Sequence, residues 1–277
     1  MRLCSLASGS AGNAILIAGA TTTVLIDAGL TGKELAARAA QAGIDLARVD
    51  AILVTHEHGD HTAAVGILAR RYRIPVHIDP LTYAAAQEKL GELPDLRRLE
   101  SPQFTIGEFA VNSFPLPHDA VNPLGFSVSD GECRVTVMTD IGVMNQFLAR
   151  CARESDLLVL EANYEQELVY ASDRPWPNKQ RVLGNRGHLG NHDAAQLVRS
   201  LAGTRVQAVL LAHLSGDHNT AGHALARLRQ VPGLPRVVIA EQDRISGWLT
   251  AVPAAVAASS GAPRPATEKS VPVIART

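Results

Sequence analysis

A chain of 277 residues with 26 basic and 27 acidic side chains sits near neutrality, at −1, and carries no global positive field of the kind that marks many nucleic-acid binders. It is 46% apolar but only 4% aromatic, so its core must be aliphatic, and its length suits one large α/β domain or two small ones. No apolar run approaches the roughly 18 residues that span a bilayer, no signal-peptide core is visible, and Cys4, Cys133 and Cys151 form no CxxC pair, which fits free thiols in a reducing cytoplasm.

Three short β-prone runs come first, Arg2–Leu6, Ala14–Ala18 and Thr23–Asp27, divided by Gly/Ser/Asn turns at 8–13 and 18–20. Lys33–Ala42 has helical composition and stops at Gly43, a C-cap residue. Ala51–Thr55 is a continuous apolar strand that runs into a His-rich loop, and His61–Tyr72 reads as a helix. Pro75–Ile78 follows as a strand and Leu81–Leu90 as a helix. Short strands recur between Phe104 and Val137, with turns at Gly107, Pro117, Pro123 and Asp130-Gly131. Then α and β alternate: helix Met144–Arg153, strand Leu157–Leu160, helix Tyr164–Tyr170, helix Asp193–Leu201, strand Gln207–Ala212, helix Ala221–Gln230 and strand Arg236–Ile239. Two halves, each β-rich at first and alternating later, predict two sheets packed face to face with helices outside. Residues 251–277 are rich in Ala, Pro and Ser and read as a flexible tail, leaving 1–250 as the folded domain.

The strongest chemical signal is His56-x-His58-x-Asp60-His61. Two His at i and i+2 on an extended loop point the same way and can grip one ion. Asp60 and His61, at the turn into the next helix, can face a second. Imidazole and carboxylate suit zinc, manganese or iron. Four ligand-type residues in six, directly after a buried strand, are poorly explained as surface decoration. One loop cannot close two sites, and further candidates stand where strands end: His118 after Phe114–Pro117, Asp140 after Val135–Thr139, and His213 after Val209–Ala212. Singly, each would be read as structural. Together, behind a full HxHxDH, they read as ligands.

These segments resemble the metallo-β-lactamase fold, an α/β fold of αββα type with two packed mixed sheets and helices on the outer faces, over about Met1–Thr250. The resemblance implies that His56, His58 and His118 bind one metal ion, that Asp60, His61 and His213 bind another, and that Asp140 bridges them. It matches Asp27, in Leu25-Ile26-Asp27-Ala28-Gly29, to an early family segment whose carboxylate supports the ligating His from behind. Two divalent ions per chain, zinc or manganese with iron as a third option, would yield hydroxide near neutral pH and polarise the scissile group. Asp60 would orient that hydroxide and take its proton.

Glu161, after Leu157–Leu160, and His188, in Gly187-His188-Leu189-Gly190-Asn191, are similar in position to the Glu/His pair with which tRNA-processing members protonate a leaving oxygen. A carboxylate beside an imidazole raises its pKa and fixes its tautomer. The plainer reading of His188 is a helix-entry side chain bonded to backbone. Ser5–Asn13, Gly187–Asn191 and Leu211–Asn219 together resemble the WalJ/YycJ-like proteins, bacterial enzymes of this fold regarded as 5′–3′ DNA exonucleases. The match departs at Gly190, where that family usually has Ser. The resemblance implies a cytoplasmic dinuclear phosphodiesterase with a nucleic-acid substrate, DNA before RNA, and no membrane partner. The same ligands would serve a hydrolase of small phosphodiesters, thioesters or lactams, or a non-catalytic metal-binding regulator. Substrate contacts are a weaker reading. Ser8, Ser10 and Asn13 in the first turn, Lys179, Arg181 and Arg186 before His188, Arg70, Arg71 and Arg73 after the motif, and His218 and Asn219 could meet phosphates. Such groups are as often turn or solvated surface, and His223 reads as surface.

Overall fold

The computed structural model describes residues 1–228 and 232–253. The first half of the chain supplies strands β1 Arg2–Ala7, β2 Ala14–Ala18, β3 Thr23–Ile26, β4 Ala51–Leu53, β5 Val76–Ile78 and β6 Leu96–Arg98. The second supplies β7 Gln103–Ile106, β8 Phe109–Pro115, β9 Leu124–Ser129, β10 Arg134–Met138, β11 Leu157–Glu161, β12 Ala208–Ala212 and β13 Arg236–Ile239, and β14 Leu249–Thr250 returns to the first sheet. Among the described residues the strand orders are β14-β1-β2-β3-β4-β5-β6 and β13-β12-β11-β10-β9-β8-β7. The helices are α1 Gly32–Gln41, α2 Gly59–Thr62, α3 Val65–Tyr72, α4 Pro80–Leu90, α5 Gln146–Arg153, α6 Gln166–Ala171, α7 Trp176–Leu183, α8 Asn191–Ser200 and α9 Ala221–Ala226.

Strand periodicity explains the layers. Side chains alternate across a strand, and β2 sends Leu16 outward to Leu35, Leu68 and the α1, α3 and α4 layer, while Ile15 and Ile17 enter the space between sheets. In β11, Leu157 and Val159 meet that same central layer, whereas Leu158 and Leu160 face Leu148, Leu197 and Val198 of α5 and α8. Strands apolar on both faces are what parallel pairing between two covered layers requires, and β10, β11, β12 and β13 pair in parallel. The two sheets and their outer helices match the expected αββα sandwich.

Three local expectations change. The helix expected over His61–Tyr72 is two helices, α2 and α3, broken at Ala64. The bond from Ala64 N–H to Asp60 O, which would carry one helix through, is replaced by tertiary bonds. Ala64 N–H donates to Ala28 O at 2.8 Å, and Asp60 O accepts from Asn13 N–H at 2.8 Å. The backbone around Asp60 is thereby tied to β2 and β3. Secondly, α7 falls in a stretch to which the sequence reading assigned no element; it starts at a Pro-rich turn, and Pro is tolerated in a helix's first turn, where its missing N–H has no partner to lose. Thirdly, the short edge strands β6 and β14 carry too little pattern to be read. The end of the helix expected over Ala221–Gln230 and nearly all of the expected tail lie outside the described residues. No helix among the described residues is long and apolar enough to cross a membrane.

Candidate metal centre and active site

The chemistry collects where strands end. Asp27 follows β3, the His-rich loop follows β4, and His118, Asp140, Glu161 and His213 stand at or just beyond the ends of β8, β10, β11 and β12. Asp27, Asp140 and His213 have φ of 59°, 62° and 56°. That left-handed conformation is disfavoured for a residue with a side chain and persists only where surroundings enforce it, a recurrent property of functional sites. It turns each side chain off its strand into the shared cleft. Close backbone approach also matters: a Cβ on Gly29 would lie 1.6 Å from Asp60 O, so only Gly lets the β3 loop reach the His-rich loop.

Four imidazoles are held in one pattern. His56 Nδ1–H donates to Thr55 Oγ1 at 2.9 Å and His61 Nδ1–H to Asp27 Oδ2 at 2.8 Å. His118 Nδ1–H donates to Gly187 O at 2.9 Å, and His213 Nδ1–H to Glu161 Oε1 at 2.9 Å. Each ring is thus anchored through Nδ1, the arrangement that fixes tautomer and direction in ligating His. The donor atoms of His56, His58 and His118 lie within 4.8 Å of one another, as do those of Asp60, His61 and His213. Asp140 joins further groups with His56 and His61, and with Glu161, His188 and His213. Its Oδ2 lies 3.3 Å from His61 Nε2, and its Oδ1 is 3.7 Å from His118 Nε2.

The electrostatics fit a cation. Asp140 Oδ2 and His213 Nε2 are buried with no hydrogen-bond partner among the described residues, a costly state for polar atoms unless another partner completes them. Burial alone would raise the Asp140 carboxyl, but His213, His61 and His56 outweigh it and hold it well below the ordinary carboxylate range. Asp60 is likewise held low against burial by His213 and His61. Conversely, burial opposes charge on His213, yet Asp140, Asp60 and Glu161 push it up to about 10. Burial and neighbouring imidazoles push His56 far down. A divalent ion bound here would compete with protons for these imidazoles and release protons as it binds.

Glu161 is fully buried and serves two rings. Its Oε1 accepts from His188 Nδ1–H at 2.8 Å and from His213, while Oε2 accepts from Ile141 N–H at 2.6 Å and Leu189 N–H at 3.0 Å. Burial would lower the His188 imidazole, but the charge and hydrogen bond of Glu161 win and hold it above its ordinary value. His188 lines a pocket of about 280 Å³ beside the centre, together with Ser10, Asp119, Arg181 and His218.

The other expected substrate residues fall into different places. Ser8 is buried, and its hydroxyl accepts from His213 N–H at 2.7 Å. Asn13 is buried beneath the centre, where its Nδ2 donates to Gly9 O at 3.1 Å and lies 3.1 Å from His61 Nε2. Asn219 binds Asn191 and the carbonyls of Ala162 and Asn163. Arg186 donates to His118 O and Ala120 O, clamping the His118 loop. Lys179 donates to Tyr170 O and Ser172 O, and Arg181 pairs with Asp119. Arg70 holds Leu90 O and Glu92 O, Arg71 stacks on Tyr72 and Arg73 closes α3; none of the three lines the pocket. His223 lies in the first turn of α9, where its N–H donates to the capping Thr220 hydroxyl at 3.2 Å and its Nδ1 lies 2.8 Å from the same oxygen. At Gly190, a Cβ would lie 2.9 Å from the Tyr164 ring, so a Ser there would need that ring to shift.

Sequence reasoning passed over Thr55 and Asn163. Thr55 donates from both N–H and Oγ1–H to Asp27, at 2.8 Å each, while its oxygen receives His56. Asn163 donates to His213 O at 2.7 Å. The available signal was position, one residue before HxHxDH and two after Glu161. Replacing Thr55 by Val keeps shape but leaves Asp27 and His56 without this link. Metal affinity in a chelator competition is expected to fall about 10–100-fold with the fold intact; unchanged affinity would make Thr55 a packing residue only.

The sandwich, the strand-end His and Asp residues and the HxHxDH loop define a class. The chain belongs to the Metallo-beta-lactamase superfamily, whose profile matches residues 7–149. Within it, the chain is 33% identical over 82% of its length to a Bacillus anthracis protein named Exodeoxyribonuclease YycJ, of which the match covers 87%. It is also 33% identical over 77% of its length to Exodeoxyribonuclease WalJ of Streptococcus pneumoniae, covering 81% of that protein. It is therefore a WalJ/YycJ-like member of the superfamily. The metallo-β-lactamase fold protein YhfI of Bacillus subtilis shares the architecture, with a TM-score of 0.68 over 88% of this chain and 98% of that one at 17% identity.

Proposed function

We propose that this chain is a cytoplasmic metal-dependent phosphodiesterase, a 5′–3′ exonuclease on DNA. The observation that carries the reading is the Glu161–His188 pair, 2.8 Å apart beside the metal-binding clusters. An alkoxide leaving group needs a proton as it departs, whereas a thiolate does not, so a positioned acid suits a phosphodiester better than a thioester. The two relatives named exodeoxyribonucleases support DNA as the substrate.

His56, His58 and His118 would hold one divalent ion and Asp60, His61 and His213 a second, with Asp140 between them. Zinc or manganese is the proposed metal; iron would suit the same donors. Such ions, when bound, lower the pKa of water and polarise a phosphoryl group. Asp60, ionised between His61 and His213, orients the attacking water and accepts its proton. His188 donates to the leaving oxygen, and Glu161 holds the ring's direction and charge.

The test is cleavage of 5′-labelled and 3′-labelled DNA and RNA oligonucleotides by protein reconstituted with Mn²⁺ or Zn²⁺. Mononucleotides released from the 5′ end of DNA are expected. If protein with filled metal sites leaves every oligonucleotide intact, the nuclease reading fails and small phosphodiesters and thioesters become the substrates to try.

A further inference from the structure

We infer that the arm made by α6 and α7 is a stacking platform for single-stranded nucleic acid, with Tyr170 and Trp176 receiving bases of the strand that leads to His188. This rests on the nuclease reading above and adds a binding surface to it.

Three observations converge on the arm. Tyr170 and Trp176 are 51% and 54% exposed, in a chain with only two Trp and four Tyr. Their rings stack on one another, with centroids 6.3 Å apart and planes within 20°. Large aromatic rings gain most by burial, yet α7 buries none of its residues. The pair is also preset: Lys179 donates to Tyr170 O and Ser172 O, locking α7 to the end of α6.

Charge is the second observation. Residues 172–186 hold Arg174, Lys179, Arg181 and Arg186 against Asp173 alone, although the whole chain is at −1. Arg174 pairs with Asp217 and Arg181 with Asp119. Exposed pairs of this kind are weak, so a phosphate can take either arginine from its carboxylate.

Continuity is the third. Arg174, Asn178, Arg181 and Val182 of the arm line the same pocket as His188 and His218, and Trp176 lies between the first two in sequence. His218 Nε2 is buried without a hydrogen-bond partner among the described residues. At about 280 Å³ the pocket is at the small end of ligand sites, which begin near 300 Å³. The arm shares this lining, so a strand too long for the pocket can continue over it. Base–aromatic stacking tolerates any sequence, as an exonuclease requires, and needs unpaired bases.

The experiment uses metal-loaded full-length protein and a short phosphorothioate single strand that resists hydrolysis. Tryptophan fluorescence is expected to be quenched on binding, and the quench should vanish in Trp176→Phe while affinity stays close to wild type. Trp248, which packs under Arg2 and donates to Ala42 O, remains as the silent second fluorophore. Trp176→Ala is expected to bind roughly ten-fold more weakly. Unchanged affinity in Trp176→Ala, in protein that degrades ordinary DNA, overturns the platform and leaves the nuclease reading standing. Failure of the wild type to bind or cleave any oligonucleotide, while it turns over a small ester, overturns both.

Discussion

His188→Ala is expected to lower kcat on DNA by about 10²–10⁴-fold, the usual worth of a positioned general acid, with bound metal unchanged. The geometry makes this substitution more informative than one at Glu161. Glu161 Oε1 receives both His188 and His213, so its removal would disturb a proposed ligand and the proposed acid together. His188 uses Nδ1 for Glu161 and lies on the pocket side, with its ring 22% exposed. A second comparison isolates the acid role. A substrate with a p-nitrophenolate leaving group departs without a proton, so the same variant should lose far less on it than on DNA. An equal loss on both substrates would assign His188 to substrate positioning, and a fall in bound metal would make it a ligand.

Asp140→Asn is expected to have the larger effect on the centre itself. The carboxylate is buried, touches the groups of both clusters and leaves one oxygen without a hydrogen-bond partner among the described residues. An amide has nearly the same volume but no charge, and one of its two positions donates rather than accepts. Metal affinity should fall by more than the roughly 10–100-fold that supporting groups outside the ligand sphere are worth, with activity falling in step. Elemental analysis after dialysis, beside an oligonucleotide assay, measures both. Full metal occupancy and full activity in Asp140→Asn would sink the shared-carboxylate assignment.

Legibility from the sequence tracked how local each determinant is. HxHxDH is six residues long and follows a strand, so its candidate ligands stood in one window. His118, Asp140 and His213 could be found because each closes an apolar strand, and strand ends on one side of a sandwich must converge. What stayed hidden depends on partners far along the chain. The break between α2 and α3 is set by Asn13 and Ala28, which take up the bonds that would have continued a helix. Thr55 looks like any β-branched residue at the end of a strand, and its three hydrogen bonds appear only when Asp27 lies alongside. Likewise, no spacing rule predicts that Glu161 faces two histidines, since that requires β11 and β12 in register, with Glu161 opposite Ala212. The first turn was read for substrate, but Ser8 and Asn13 are buried against His213 and His61, because a Gly-rich turn that approaches this closely is buried by what it approaches.

The way β14 returns beside β1, pairing Leu3 with Leu249, has a consequence for synthesis. The turn that carries Ser8 and Asn13 is tied to residues near the far end of the fold: Ser8 N–H donates to Glu241 O, and Gln242 reaches Ala11 N–H and Gly12 O. A ribosome that has released only β1 to β6 has delivered the HxHxDH loop, but not His213, nor the Glu241–Gln242 segment that steadies the turn beneath it. A fragment cut short before that point holds half a centre. A product truncated before His213 lacks one of the proposed ligands and is expected to show no metal-dependent hydrolysis.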